Sequence, residues 1–302
     1  MNHAVIQTDQ LCKQFGSFPA VDHLNIEVAR GSICGFLGQN GAGKSTTIKM
    51  LLGMTHPTSG SGKVLGFDIS KESQSLEIRK KTAYVAEDKR LYDYMTASQI
   101  IQFTRSFFPM WNLQLEKQLL KEFGLPADRR IRKFSKGMRT QLALILGVCR
   151  NAELLVLDEP SEGLDPVNNE KMLRLLVGLA AEGKTIFFSS HQVFEVEQIA
   201  DQVIMINKGR LIDNAPLDTL RNKYKLIKAF FDSVPEIRKA DLPNVKSIRS
   251  ENKSMHLFVR GNYENVISRL QSYNPLSIDV IDLNLKEIFL ENLKAEENHV
   301  AV

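Results

Sequence analysis

Residues 38–46 of the chain read Gly38-Gln39-Asn40-Gly41-Ala42-Gly43-Lys44-Ser45-Thr46. The segment matches G-x-x-x-x-G-K-[ST], the pattern of a phosphate-binding loop, in which glycines let successive backbone N–H groups turn toward an anion. The Lys44 ammonium can reach β- and γ-phosphates, and the Ser45 hydroxyl can bind Mg²⁺. The predicted phosphate-binding residues are Gly38, Asn40, Gly41, Ala42, Gly43, Lys44, Ser45 and Thr46.

The segments on both sides of this loop fit a strand followed by a helix. Residues 32–37 form an apolar run that is typical of a buried strand, and residues 45–52 show helical spacing before Gly53. The phosphates would then lie at a helix N-terminus, where unpaired N–H groups and the helix dipole favour anions. A glycine-rich turn can match the pattern by chance, but the order of strand, loop and helix argues against that interpretation.

Composition and charge limit the classes of protein that are possible. The chain has 302 residues, 43% of them hydrophobic and 25% charged, which favours a soluble globular protein of two domains. Because no apolar run approaches about 18 residues, no membrane span is expected, and the first residues do not resemble a signal peptide. The cysteines Cys12, Cys34 and Cys149 are far apart, which favours reduced thiols over disulfides or a zinc site.

The net charge of +4 is modest, and the chain has no basic tail or stripe of the kind that nucleic-acid binding usually requires. No nucleic-acid partner is therefore expected. One local cluster of basic residues fits either a solvated helix face or a position near anionic phosphates or lipid head groups. The cluster consists of Arg129, Arg130, Arg132, Lys133, Lys136 and Arg139.

The residues before the loop predict antiparallel strands, and the residues after it predict a helical insertion. Residues 4–11 and 24–28 are expected to pair, and Phe15 between them could stack on an adenine ring or pack in a core. Apolar residues three and four apart predict helices in a lobe that covers residues 90–150. The predicted helices are 97–108, 113–123 and 136–150, and Trp111 at a corner of the lobe is either core or a contact for a partner.

Acidic residues follow the next buried strand. Residues 153–158 end in Asp158, at the carboxyl end of a predicted parallel strand, where open α/β sheets bind their ligands. Asp158 can hold Mg²⁺ through water, and Glu159 beside it can orient or deprotonate an attacking water. The neighbouring strand, 185–189, ends at His191, for which a γ-phosphate contact is plausible although a lone histidine is more often structural.

The chain after residue 223 predicts a second domain. Its strands and helices follow the order β-β-β-α-β-α, which indicates a small α+β domain covering residues 224–302, and the residues before it form the first domain, 1–223. The last helix is expected over 285–294 and a disordered tail over 295–302. Because the segment lacks a catalytic constellation, a stabilising role is favoured over dimer contact or regulation.

Taken together, the motifs in residues 4 to about 220 resemble an ABC transporter ATP-binding subunit, of the kind that serves an ABC-2-type exporter. The phosphate loop is followed by 134–139 at the position of the family signature, by 154–160 as the second nucleotide motif, and by 161–165 as the loop that crosses to the other subunit. His191 matches the switch histidine. The resemblance implies a P-loop ATPase fold with an antiparallel β subdomain and an inserted helical lobe.

The signature departs from the usual family sequence L-S-G-G-Q. Lys136 and Met138 replace a glycine and the glutamine, whereas Ser135 and Gly137 remain and offer a hydroxyl and a flexible backbone amide. The resemblance implies that these two residues bind the γ-phosphate of ATP held by another subunit.

Other expected roles also come from the resemblance. Glu87 stands where the family usually has glutamine, so a carboxylate would add charge near Mg²⁺, and Phe15 stands where tyrosine is frequent. The implied cofactors are ATP and Mg²⁺. The metal would be held by Ser45, Asp158 and Glu87, with Glu159 as the base, His191 at the γ-phosphate, and Asp165 among the nucleotide-site residues.

The resemblance further implies two partners, a second copy of the cassette in a head-to-tail dimer and an integral membrane permease at the cytoplasmic face of the membrane. One alternative is a soluble ABC-type ATPase that acts on nucleic acid, a ribosome or an assembly partner. The single cassette and the absence of a basic stripe argue against it. A catalytically inactive regulator is disfavoured because Lys44, Asp158, Glu159 and His191 are all present.

Overall fold

The computed structural model describes residues 4–300, apart from the side chains of residues 240 and 297–300. The chain divides into two compact units, the first ending at Asn214 and the second beginning at Ala215. Among the described residues, no helix is long and apolar enough to cross a membrane.

The first unit alternates strands and helices in a sequence of short elements, the last of which ends two residues after Asn214. In chain order they are β1 (Ala4–Phe15), β2 (Phe18–Leu24), β3 (Glu27–Ala29), β4 (Ile33–Leu37), α1 (Lys44–Leu51), β5 (Ser59–Val64), β6 (Phe67–Asp68), α2 (Glu72–Lys81), β7 (Thr82–Val85), α3 (Ala97–Arg105), α4 (Leu113–Phe123), α5 (Lys136–Val148), β8 (Leu154–Asp158), α6 (Pro166–Ala181), β9 (Thr185–Ser190), α7 (Val193–Ile199), β10 (Gln202–Asn207) and β11 (Arg210–Pro216).

An antiparallel sheet has the order β2-β1-β5-β6, with β3 also paired to β1. The expected pairing of residues 4–11 with residues 24–28 is present, since Ile6 lies opposite Val28 and Leu11 opposite Leu24. The sequence did not indicate β2, which follows the turn at Gly16, where φ is +59°, and pairs with the end of β1. Pro19 in β2 masks the strand pattern, since proline cannot donate to a ladder and is confined to edges. Strand β2 is indeed the edge of this sheet.

The second sheet has the order β11-β10-β4-β9-β8-β7, and the pairs between β10, β4, β9, β8 and β7 are parallel. Strands β4, β8 and β9 are buried along their whole length, as expected for a parallel sheet covered on both faces. Because β9 lies between β4 and β8 and runs parallel to both, the carboxyl ends of all three strands lie at the same edge of the sheet. This edge carries the residues that follow each strand.

The expected helical lobe is present as α3, α4 and α5. Helix α4 has the predicted bounds because Asn112 caps its N-terminus and Gly124 ends it in a left-handed conformation. Trp111 is buried and its Nε1 donates to Glu116 Oε2 at 2.6 Å, so it belongs to the core. The sequence did not indicate helix α2, a strongly polar segment with weak periodicity.

The second unit is the expected α+β domain. Its elements are α8 (Leu217–Lys223), β12 (Tyr224–Phe230), β13 (Val245–Glu251), β14 (Ser254–Arg260), α9 (Tyr263–Gln271), β15 (Ser277–Asp282) and α10 (Leu285–Val300). The sheet order is β13-β14-β12-β15, and all its pairs are antiparallel. Val266 and Leu270 of α9 join its core.

Two boundaries differ from those expected. Helix α8 packs on β12 and α10, which places the start of the second unit nine residues before the expected boundary after residue 223. Helix α10 continues to Val300, so the expectation that residues after 294 are disordered is wrong for residues 295–300, and residues 301–302 lie outside the described part.

Candidate active site

The phosphate-binding loop connects β4 to α1 and needs its glycines for two reasons. Gly41 and Gly43 have φ values of +80° and +101°, which residues with a Cβ rarely adopt. A Cβ on Gly43 would also lie 2.4 Å from the carbonyl oxygen of Ala20. Among the described residues, no side chain caps the N-terminus of α1. Its first N–H groups are therefore suited to an anionic ligand.

A cavity of about 280 Å³ opens over this loop. Glu87, which follows β7, and Glu159, which follows β8, line it together with the loop. The lining residues are Phe18, Ala20, Gln39, Asn40, Gly41, Gly43, Lys44, Ser45, Thr46, Glu87 and Glu159. Of the other predicted phosphate-binding residues, Ala42 is buried and Gly38 lies at the carboxyl end of β4, where its carbonyl oxygen accepts from Lys44.

The Lys44 ammonium lies between the loop carbonyls and an acidic side chain. It donates to Gly38 O at 2.7 Å and to Gln39 O at 3.3 Å, and its Nζ lies 3.1 Å from Glu159 Oε1. The contact with Glu159 is an ion pair without hydrogen-bond alignment, since Oε1 makes no hydrogen bond in the described part of the chain. Both side chains are 6% exposed, so each neutralises a charge that would be costly alone.

Glu159 is held in an unusual backbone conformation. Its φ is +47°, in the left-handed region, which is uncommon for a residue with a Cβ. Its Oε2 lies 2.8 Å from His191 Nδ1, at the end of the neighbouring strand β9. The carboxylate thus contacts Lys44 through Oε1 and His191 through Oε2.

Asp158 does not line the cavity, but it orders its neighbours. Its side chain is buried, and its Oδ1 accepts from Ser189 Oγ at 2.6 Å, while the same hydroxyl accepts from Glu159 N at 3.0 Å. In the cavity, Ser45 Oγ donates to Glu87 Oε2 at 3.4 Å. These hydroxyl and carboxylate oxygens are the ligands that Mg²⁺ prefers, so Ser45, Glu87 and Asp158 fit the metal, with Asp158 acting through water.

Lys89 is a site residue that the sequence did not reveal. Its Nζ donates to the carbonyl oxygen of Glu159 at 3.1 Å. Burial lowers the pKa of Lys89, while the charges of Glu162, Asp158 and Glu87 act in the opposite direction. Because it lies in a run of charged residues that is typical of an exposed loop, no local pattern could have identified it.

The signature residues lie outside the cavity that contains Lys44. Ser135 caps α5, and its Oγ accepts from Met138 N at 3.2 Å. Gly137 packs closely against the loop between β8 and α6. A Cβ on Gly137 would lie 2.6 Å from the carbonyl oxygen of Gly163 in that loop. The structure therefore does not bring Ser135 and Gly137 to the phosphate loop of the same chain.

Asp165 is likewise an exposed capping residue, here at the start of α6. Its Oδ1 accepts from Asn168 N at 3.0 Å. Hydrogen bonds from the backbone and side chain of Asn168 lower the pKa of Asp165. In one chain its carboxylate therefore serves the helix rather than the cavity.

Phe15 lies beside the cavity without lining it. Its side chain is 54% exposed, so it is not packed in the core. Lys13 Nζ lies 5.1 Å from the centre of its ring, and Phe15 pairs across the β1–β2 turn with Phe18, which lines the cavity. The turn thus presents two aromatic rings near the phosphate loop.

Comparisons with known proteins identify relatives that cover most of the chain. The family model described as ABC transporter matches residues 21–162. The chain is 39% identical over 222 residues to the bacitracin transport ATP-binding protein BcrA of Bacillus licheniformis, covering 72% of each chain. It is 24% identical to the ABC transporter ATP-binding protein YtrB of Bacillus subtilis over 95% of this chain and 97% of the relative, so the similarity includes the second unit.

Solved structures show the same fold. One described as an ATP-binding subunit of an ABC transporter has a TM-score of 0.65 and 25% identity, covering 72% of this chain and 92% of that chain. A dimeric cassette, MJ0796, bound to ADP and Pi has a TM-score of 0.63 and 20% identity, covering 70% of this chain and 98% of that chain.

Proposed function

Since the chain belongs to the family of ABC transporter ATP-binding proteins, we propose that it powers export through a separate membrane subunit of the ABC-2 type. It is an ATP-binding and ATP-hydrolysing subunit of an ABC transporter. The contact of Glu159 with both Lys44 and His191 at the phosphate cavity is the observation that carries the proposed mechanism. The similarity to BcrA, named for bacitracin transport, supports export.

In the proposed mechanism, the loop amides and Lys44 bind the β- and γ-phosphates of ATP. Lys44 then exchanges its pairing with Glu159 for pairing with phosphate, which leaves the carboxylate of Glu159 to accept a proton from the attacking water. His191 holds that carboxylate in place through Oε2 and would contact the γ-phosphate of bound ATP. Bound Mg²⁺, held by Ser45, Glu87 and Asp158, would neutralise charge on the phosphates.

We also propose that two identical chains share each nucleotide. Ser135, Gly137 and Asp165 lie away from the cavity of their own chain, which supports their use by a second copy in a head-to-tail dimer. A symmetric dimer of this kind has two equivalent sites. Phe15 would stack on the adenine ring, since its exposed face is free of core packing.

The surface proposed for the membrane subunit is a second cavity of about 390 Å³ between the segment after β7 and the helical lobe. Exposed aromatic rings extend it, with ring centres 5.1–6.1 Å apart along Tyr94, Tyr92, Phe103 and Phe107. An exposed patch of this kind favours an interface. Binding there would place the chain at the cytoplasmic face of the membrane.

The test is light scattering on purified Glu159→Gln protein with and without ATP and Mg²⁺. We expect a shift from monomer to dimer with ATP, because the variant binds nucleotide but lacks the base. The matched control is Glu182→Gln, an exposed residue after α6, which should hydrolyse ATP like the wild type. A variant that stays monomeric with bound ATP would contradict the homodimer, and full turnover by Glu159→Gln would remove Glu159 as the base.

A further inference from the structure

Lys89 reaches the catalytic segment from a different part of the chain. It lies in the segment between β7 and α3, two residues after Glu87, and its Nζ donates to the carbonyl oxygen of Glu159 at 3.1 Å. The acceptor belongs to the peptide that links Glu159 to Pro160, which is the point where the chain leaves the buried strand β8. A single side chain thus connects the Glu87 segment to the backbone of Glu159.

The backbone of Glu159 needs such contacts. With a φ of +47°, Glu159 lies in the left-handed region, which is strained for a residue with a Cβ and persists where surrounding contacts determine the conformation. The N–H of Glu159 donates to Ser189 Oγ at 3.0 Å, and its carbonyl oxygen accepts from Lys89 Nζ at 3.1 Å and from the backbone N–H of Glu162 at 3.2 Å. We propose that Lys89 is a positioning residue for Glu159, fixing the peptide orientation that turns the carboxylate toward Lys44 and the phosphate loop.

The local charges favour a cation in this place. Lys89 lines a cavity together with Glu87 and Glu162, and the negative charges of these two residues and of Asp158 favour the charged form of its ammonium. Glu162 already pairs with Lys136, with 2.5 Å between Nζ and Oε1. A charged donor therefore forms a stronger hydrogen bond to the Glu159 carbonyl and also offsets the repulsion between carboxylates at the cavity edge.

Lys89 also lines the second cavity, the one proposed for the membrane subunit. Other lining residues of that cavity include Ala86, Asp88 and Leu91, from the same segment of chain. A partner that shifts this segment would move the Lys89 ammonium and with it the peptide of Glu159. The inference deepens the proposed function and rests on it, because Lys89 acts through Glu159 in ATP hydrolysis.

The experiment measures steady-state ATP hydrolysis by the full chain for three variants. Lys89→Met removes the charge and the donor but keeps the length of the side chain, and Lys89→Arg restores both. The control is Lys117→Met, which makes the same lysine-to-methionine substitution on the exposed face of α4. Binding of a fluorescent ATP analogue and the thermal unfolding midpoint are measured for each protein.

For Lys89→Met we expect kcat to fall about tenfold, which corresponds to about 1.4 kcal/mol in the barrier, with KM for ATP changed less than about twofold. Lys89→Arg should recover most of the lost kcat, and Lys117→Met should match the wild type. A lower unfolding midpoint with unchanged kcat would assign Lys89 a structural role and overturn the inference. A raised KM for ATP with unchanged kcat in Lys89→Met would also overturn the inference. A kcat of Lys89→Arg as low as that of Lys89→Met would do the same.

The two proposals fail in different ways. A wild-type chain that binds ATP but does not hydrolyse it would contradict the proposed catalytic role of Glu159, and the comparison at Lys89 would fall with it. A wild-type chain that hydrolyses ATP while Lys89→Met does so equally well leaves the proposed function standing and overturns only the role of Lys89.

Discussion

Helices α1 and α5 both begin at motif residues, but their N-termini are arranged differently. At α1, Gly43 takes a left-handed conformation and no side chain in the described part of the chain caps the helix. At α5, Ser135 caps the helix through its own hydroxyl, which accepts from Met138 N. The first terminus lines the phosphate cavity, and the second does not.

This difference indicates that the two helix N-termini would bind phosphate under different conditions. The N–H groups at the start of α1 remain available for phosphate, so one chain already contains a complete cradle for the β-phosphate region. At the start of α5, the Ser135 hydroxyl accepts a hydrogen bond from the helix backbone, so this terminus is stable without a ligand. A ligand from another copy would then exchange with the Ser135 cap, which makes the second contact conditional on dimer formation.

The largest effect is expected from Gly43→Ala, at the start of α1. Its φ of +101° and a Cβ 2.4 Å from Ala20 O should cost on the order of 1–3 kcal/mol of folding stability and lower ATP affinity by about a hundredfold or more. Gly178→Ala is the control, because no atom lies within 4 Å of its Cβ in α6 and alanine should stabilise that helix by about 0.5–1 kcal/mol. Scanning calorimetry measures the stability of both variants, and titration calorimetry measures their ATP affinity. A normal ATP affinity of Gly43→Ala would contradict phosphate binding at the start of α1.

Mixing two inactive variants tests whether two copies of the chain share each nucleotide site. Lys44→Ala disables the start of α1 and Ser135→Arg disables the start of α5, so each protein alone should hydrolyse little ATP. Random pairing leaves one intact site in each mixed dimer, so a mixture should recover about a quarter of the wild-type rate if the sites act independently.

The control for this mixture combines Lys44→Ala with chains that carry both substitutions, which contain no intact site in any pairing. Phosphate release is the measurement. A mixture no more active than the control would show that the two termini do not meet across a dimer of this chain.

A smaller effect is expected from Ser135→Ala. Loss of the cap should lower the free energy of unfolding by about 1 kcal/mol, because alanine cannot accept from Met138 N. ATP affinity of the isolated chain should stay unchanged, since Ser135 does not line the cavity. Ser135→Asn retains an N-cap and should keep the stability, as urea unfolding can check. Weaker ATP binding by monomeric Ser135→Ala would place Ser135 at the cavity of its own chain.

The smallest effect concerns the exposed cap of α6. Hydrogen bonds from Asn168 lower the pKa of Asp165, so its stabilisation is present above its unfolded pKa of about 3.9 and is lost as the pH falls through the folded pKa. The difference in unfolding free energy between the wild type and Asp165→Asn should therefore be larger at pH 7 than at pH 3.5. Urea unfolding of the pair at each pH measures it, and a difference independent of pH would contradict a charged cap.

Local patterns predicted the elements that have their own end signals. Helix α4 was predicted to the residue, because Asn112 and Gly124 mark its ends. The neighbouring position of β8 and β9 was also expected, and it places His191 beside Glu159. Strand β2 and helix α2 were missed because a proline in the first and a polar composition in the second hide their periodicity.

The phosphate loop, the acidic residues after β8 and the order of the two units follow from the amino-acid sequence alone, because glycine spacing, apolar runs and capping residues act over a few neighbouring positions. The tertiary structure decided that β9 lies between β4 and β8, that Lys89 reaches the carbonyl oxygen of Glu159, and that the start of α5 lies outside the cavity. These contacts join residues that are dozens of positions apart, and sheet order and packing select them rather than any local preference.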